Sequence, residues 1–145
     1  MINQFDDKYF FLSNFSKSKL VYDGISYPTV EHAFQAAKTL DIAERKRIAM
    51  LPTPGEAKRA GRRVFLRSDW EDVKDGIMYE ILKEKFKDPV LKQKLIDTGN
   101  EYLEEGTTWH DNYWGNCYCT KCKNIEGKNV LGKTLMKIRD EIRNG

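Results

Sequence analysis

The sequence predicts a mainly helical single domain, residues 1–145, with a small β-hairpin near its N-terminus. Three observations carry this expectation. Apolar residues recur at helical spacing through most of the chain after Pro28, capping residues stand before these stretches, and one short paired segment is broken by Asp23-Gly24. A chain of 145 residues suits one core of ordinary size. The balance of 40% apolar and 32% charged residues is that of a globular protein in water. No run of about 18 apolar residues exists, so a membrane span is not expected. The opening Met-Ile-Asn-Gln-Phe-Asp-Asp lacks the basic-then-apolar pattern of a secretory signal, which points to the cytoplasm.

Tyr9 to Leu12 is aromatic and apolar and reads as a short β segment. Leu20-Val21-Tyr22 and Ile25-Ser26-Tyr27 form a hairpin signal around Asp23-Gly24, because Asp-Gly readily takes the positive φ values of a tight turn. Thr29 then caps a helix whose buried stripe is Val30, Ala33, Phe34, Ala37 and Leu40. A second helix is expected over residues 42–50. Thr53-Pro54-Gly55-Glu56 offers an N-cap, a proline at the first helical position and a capping-box glutamate, and that helix runs towards Gly61. Ser68 and Glu71 suggest another capping box, opening a long helix with Val73, Ile77, Ile81 and Leu82 inward. Asp88-Pro89 restarts a short helix through Leu91 and Leu95 that ends near Thr98-Gly99. Residues 100–126 read as irregular. The last helix carries Leu131, Leu135, Ile138 and Ile142 at spacings of four, three and four.

The net charge of +3 is too small for a protein that neutralises many phosphates, and fits a single phosphorylated ligand better than bulk duplex binding. No dinucleotide or P-loop glycine fingerprint is present, so no organic cofactor is expected. Three segments exceed what packing asks for. In Tyr27 to Lys38, Glu31, Gln35 and Lys38 fall at i, i+4 and i+7 as a polar stripe. This is either a solvated face or a carboxylate projecting into a cleft from the first turn. His32 beside it reads as a packing or hydrogen-bonding residue. In Lys58-Arg59-Ala60-Gly61-Arg62-Arg63, with Arg67 nearby, the guanidinium forks suit phosphate oxygens, and Gly61 would let backbone approach a ligand; a solvated basic face is the alternative. Trp70, next along, suits packing or stacking on a heterocycle. Trp109 to Asn116 puts Trp109, Tyr113, Trp114 and Asp111 in an irregular stretch, as an aromatic plug that is also part of a site.

Together these segments resemble the NADAR/YbiA-like family. The matching strings are FLSNF (11–15), YPTVEHAFQAAK (27–38), TPGEAKRAGRRV (53–64), DWEDVKDGIMYEILKEKF (69–86), TG (98–99), DNYWG (111–115) and NVLGKTLMKIRDEI (129–142), in the family's order and over nearly the whole chain. The resemblance implies a mainly helical YbiA-like fold and hydrolysis of the C–N bond between a phosphorylated ribose and a nitrogen leaving group. The substrate would be a small ribosylamino-pyrimidine phosphate of riboflavin synthesis or, alternatively, ADP-ribose on guanine in nucleic acid. A module that binds ADP-ribose or nucleotides without cutting is a reading from another class. By matching motif, Glu31, Trp70 and Asp111 are the implied functional residues, with Asn14 and Lys38 as neighbours. The chain departs from the family at His110, where glycine is common, and in the cysteine-rich stretch after Asn116.

On this reading Glu31 and Asp111 are the catalytic carboxylates, meeting across one aromatic-walled pocket. One stabilises the oxocarbenium-like sugar or activates water, and the other holds ribose hydroxyls or protonates the leaving group. Asn14, Lys38, Arg62, Arg63, Trp70 and Trp114 are expected to bind substrate. Cys117, Cys119 and Cys122 are an odd set that, in a reducing compartment, reads as thiols or metal ligands and not as a disulfide framework. With His110 upstream they have the ligand count of a structural zinc, but the tight spacing and the adjacent Asp111 favour three reduced thiols in a loop and no metal.

Overall fold

The computed structural model describes residues 1–145. The backbone forms two compact units, one of residues Asn14–Asp88, the other of Met1–Ser13 together with Pro89–Gly145.

In residues 14–88, strands β1 (Leu20–Tyr22) and β2 (Ile25–Tyr27) pair antiparallel, Leu20 opposite Tyr27 and Val21 opposite Ser26. Asp23 (φ 52°) and Gly24 (φ 82°) form the turn, two successive positive values whose twist matches that of the strands. Helices α1 (Val30–Ala36), α2 (Ile42–Ala49), α3 (Pro54–Gly61) and α4 (Trp70–Lys85) follow. Side-chain oxygens satisfy the first free N–H groups of three of them: Thr29 accepts from His32, Asp41 from Ala43 and Glu44, and Thr53 from Glu56. The start of α4 differs from expectation. Asp69 is the N-cap and makes no side-chain cap bond, so the Ser68–Glu71 box does not form. Its carboxylate is held instead by Arg67, Nε to Oδ1 at 2.6 Å and Nη2 to Oδ2 at 3.1 Å. A two-point charge-assisted pair outcompetes one cap bond.

Helix α1 is the centre of this unit. It packs on α2, α3 and α4, and all of its residues are buried, the polar ones included. Of the polar stripe, read from sequence as either a solvated face or the wall of a cleft, Glu31 and Gln35 are buried and Lys38 is half-buried. Leu40, expected inward, is exposed, because α1 stops at Ala36 and the chain turns outward.

In the other unit, Asp7–Leu12 winds as a 3-10 helix and not as a β segment. Its N–H groups find partners locally, Tyr9 to the Asp6 carbonyl at 2.8 Å and Ser13 to the Phe10 carbonyl at 2.9 Å. Helices α5 (Pro89–Asp97) and α6 (Val130–Asn144) pack together over a core of Ile2, Leu95, Leu103, Leu131, Leu135 and Ile138. Buried Arg139 donates to Thr98 Oγ1 at 2.9 Å, and Thr98 donates to the Leu95 carbonyl at 2.6 Å. Between the helices the chain is irregular, as expected. It holds a two-residue parallel pair, β3 (Gly106–Thr107) with β4 (Asn116–Cys117), and a 3-10 turn at Thr120–Cys122. No helix in the chain is long and apolar enough to cross a membrane.

Candidate active site

Capping by Thr29 places Glu31 in the first turn of α1, where the helix dipole favours a carboxylate. The Glu31 N–H donates to the Asn14 carbonyl at 3.0 Å, and the residue is only 8% exposed. One turn further on, Gln35 Nε2 donates to Glu31 Oε1 at 2.7 Å. The other end of that amide, Oε1, is buried without a hydrogen-bond partner and rests in the hollow left by Gly61 of α3. A Cβ at Gly61 would overlap that oxygen and reach Gln35 Cδ at 2.8 Å and Cβ at 3.0 Å. Gly61 was expected to admit a ligand; it admits Gln35. The glycine lets α3 close on α1 and holds the amide with its nitrogen towards Glu31.

Asn14 presents a second buried amide. Its Nδ2 donates weakly to Met78 Sδ at 3.8 Å, and its Oδ1 is buried without a partner. Such an oxygen is costly until a hydroxyl or N–H reaches it, which suits a sugar hydroxyl. His32 is fully engaged elsewhere. Its Nε2 lies 2.9 Å from the Leu51 carbonyl, which only accepts, so Nε2 carries the proton and Nδ1 accepts from the Thr29 hydroxyl at 2.8 Å. Burial lowers its pKa and keeps it neutral.

Lys38 follows α1 and is half-buried. Burial lowers its pKa, Glu31 acts in the opposite sense, and the charges of Arg62 and Lys58 lower it further. Lys38 thus feels one carboxylate, Glu31, and two further cations, Arg62 and Lys58. Arg63 is exposed at the end of α3. Arg67 is not free for a phosphate: it grips Asp69, and its N–H donates to the Lys38 carbonyl at 2.8 Å, which anchors the segment carrying Lys38. Trp70 is used in packing. It is 6% exposed, with its ring centroid 5.0 Å from that of Phe34.

Asp111 lies in the loop before α6 in the other unit. Its Oδ1 accepts from the N–H groups of Tyr113 at 3.1 Å and Trp114 at 2.9 Å, a side-chain turn that shapes the loop. The carbonyls of Tyr113, Trp114 and Gly115 then accept from Val130, Leu131 and Asn129, the groups that the start of α6 leaves unpaired. The rings of Tyr113 and Trp114 meet edge to face at 5.0 Å and 78°. The aromatic plug thus acts through its backbone as the cap of α6.

Sequence reasoning missed Lys85. It is 1% exposed on α4, and burial pushes its pKa down to about 7. Its Nζ donates to Ser16 Oγ at 3.1 Å. The available signal was its position, four residues after Ile81 and three after Leu82, on the apolar stripe of α4.

A model of the NADAR domain matches residues 2–143, through both units. The chain belongs to the NADAR family. N-glycosidase YbiA of Escherichia coli is 38% identical over 139 residues, covering 94% of this chain and 83% of that protein. The NMR structure of the E. coli protein YbiA superposes with a TM-score of 0.82 at 35% identity, over 99% of this chain and 86% of that one. A riboflavin biosynthesis protein of Vibrio vulnificus is 30% identical over 141 residues, 95% of this chain and 37% of the relative. The YbiA-like, mainly helical fold expected of this family is the one observed.

Proposed function

We propose that this NADAR chain is an N-glycosidase that hydrolyses the C–N bond between a ribose carrying a phosphate and a nitrogen heterocycle or amine. The N-glycosidase relatives, similar over almost the whole chain, support the reaction class: a hydrolase of N-glycosyl bonds. The observation that carries the finer reading is that Lys38 feels both the buried carboxylate of Glu31 and the positive charges of Arg62 and Lys58. A phosphate among the three cations relieves their mutual repulsion, while the carboxylate faces the cation that develops on the sugar. Asn14 Oδ1 is the proposed acceptor for a ribose hydroxyl.

In the reaction water adds to C1′ of the ribose, the C–N bond electrons go to the leaving nitrogen, and that nitrogen takes a proton. Glu31, oriented by Gln35, stabilises the oxocarbenium-like sugar or takes the water proton. Asp111 is the proposed second carboxylate, binding ribose hydroxyls or supplying the proton to the leaving group. Trp114 remains a proposed contact of the substrate, Trp70 of the leaving heterocycle, and Arg62 or Arg63 of the phosphate. The riboflavin biosynthesis relative favours a ribosylamino-pyrimidine phosphate, a small cytoplasmic metabolite, over ADP-ribose on guanine.

The test is incubation with a ribosylamino-pyrimidine 5-phosphate and, in parallel, with ADP-ribosylated guanosine. Release of ribose 5-phosphate from the first is expected, and Glu31→Gln should slow it at least about 100-fold. Free ADP-ribose from the second alone would move the substrate to nucleotides. Near-normal hydrolysis by Glu31→Gln would remove Glu31 from the mechanism.

A further inference from the structure

The cysteines expected to be separate reduced thiols converge on one point. His110 Nδ1 lies 3.3 Å from both Cys119 Sγ and Cys122 Sγ, and with Cys117 Sγ all four atoms fall within 4.8 Å of one another. Ligands about 2.0–2.3 Å from a central ion at the corners of a tetrahedron stand roughly 3.5–3.8 Å apart, and the two nitrogen–sulfur pairs stand at 3.3 Å. Neutral thiols are weak donors and weak acceptors, so clustering three of them with an imidazole gains little by itself.

The backbone is committed to the same arrangement. His110 adopts φ 67°, in the left-handed region that side chains other than asparagine, aspartate and histidine seldom enter. Such a conformation persists where the surroundings hold it. Cys117 N–H donates to Asn112 Oδ1 at 2.8 Å, and Cys122 N–H closes a turn onto the Cys119 carbonyl at 3.1 Å. Cys119 and Cys122 thereby take the two-residue spacing of a zinc-binding turn.

We propose that His110 Nδ1 and the sulfurs of Cys117, Cys119 and Cys122 bind one zinc ion. The donor set decides the metal: soft thiolates with one imidazole select zinc over magnesium or calcium, and zinc has no quarrel with a tetrahedron. Four protein ligands leave no open position, so the ion is structural and takes no part in bond cleavage. Binding releases the three thiol protons to solvent, the imidazole stays neutral, and ion plus thiolates carry one net negative charge. The ion pins the loop at the residue before Asp111. Its relevance to hydrolysis rests on the role proposed for Asp111; its existence does not.

The test needs no substrate. Full-length protein purified without added metal is analysed for zinc, iron and copper, then stripped with a chelator and reloaded with cobalt(II). One zinc per chain is expected, as is the visible absorption of tetrahedral cobalt thiolate. Cys119→Ser, chosen because Cys119 is only partly buried, and His110→Gly, which suits the positive φ, should each weaken zinc binding at least about 100-fold with helical circular dichroism unchanged. Protein that holds no zinc and takes none up, or variants that bind zinc as tightly as the parent, would overturn the site. Because metal content is the readout, a failed site and a failed glycosidase assignment are told apart.

Discussion

Gly61→Ala sets two effects of opposite sign against each other. On helix propensity alone the substitution should stabilise by at most about 1 kcal/mol. In this structure the new Cβ overlaps the Gln35 carbonyl oxygen and crowds Cδ at 2.8 Å and Cβ at 3.0 Å. The amide end could swing away, but Gln35 is buried and its nitrogen holds Glu31 at 2.7 Å, so swinging breaks that bond. If the amide swings, the lost hydrogen bond to a carboxylate costs about 1.5–3 kcal/mol; if it stays, overpacking costs about 1–3 kcal/mol instead. The net expectation is a loss of about 1–3 kcal/mol, with turnover down roughly 10–100-fold because Glu31 is released. Urea denaturation and hydrolysis rates on Gly61→Ala, Gln35→Ala and the double variant measure this. With the amide already gone only the Cβ contact remains, so Gly61→Ala should cost much less in the Gln35→Ala background, a coupling of about 1–2 kcal/mol. A single Gly61→Ala variant as stable and as active as the parent would refute the reasoning.

Three further outcomes follow from particular residues. Lys85 titrates at about 7 when folded against the ordinary 10.5, so between these values the unfolded chain binds more protons and stability rises with pH; below about 7 the burial penalty is felt in full. Lys85→Met should therefore be more stable than the parent near neutrality, by on the order of 3 kcal/mol, with the gap closing as urea midpoints are followed towards pH about 10. The pKa of His32 is depressed by burial, so its contribution to stability is complete above 6.5 and is lost as pH falls through the lower folded value; His32→Gln should flatten that acid limb of the denaturation profile. Asp111→Asn keeps the oxygen that accepts from Tyr113 and Trp114 and should melt within about 0.5 kcal/mol of the parent, whereas Asp111→Ala should lose about 1 kcal/mol. Both should hydrolyse substrate at least about 100-fold more slowly, and an Asp111→Asn variant of normal activity would leave Asp111 as a turn-former only.

Local chemistry wrote much of this protein in one dimension. The Asp23-Gly24 turn, the Thr29 and Thr53 caps, the helical stripes and the family strings around Glu31 and Asp111 depend on neighbours a few residues apart, so spacing alone reveals them. What needed the tertiary structure was every choice between competing partners. Asp69 gave up its cap for Arg67, residues 7–12 wound into a 3-10 helix, Trp70 went to Phe34, and Lys85 took a place on an apolar stripe. Gly61 and Gln35 are 26 positions apart (61 − 35), and no periodicity connects them; only the closure of α3 on α1 sets that amide against Glu31. Nor does the cysteine spacing reveal that His110, at positive φ, sets its ring against the sulfurs of Cys119 and Cys122. A sequence states what each residue can do; burial, by removing water as a partner, decides which of those options it must take.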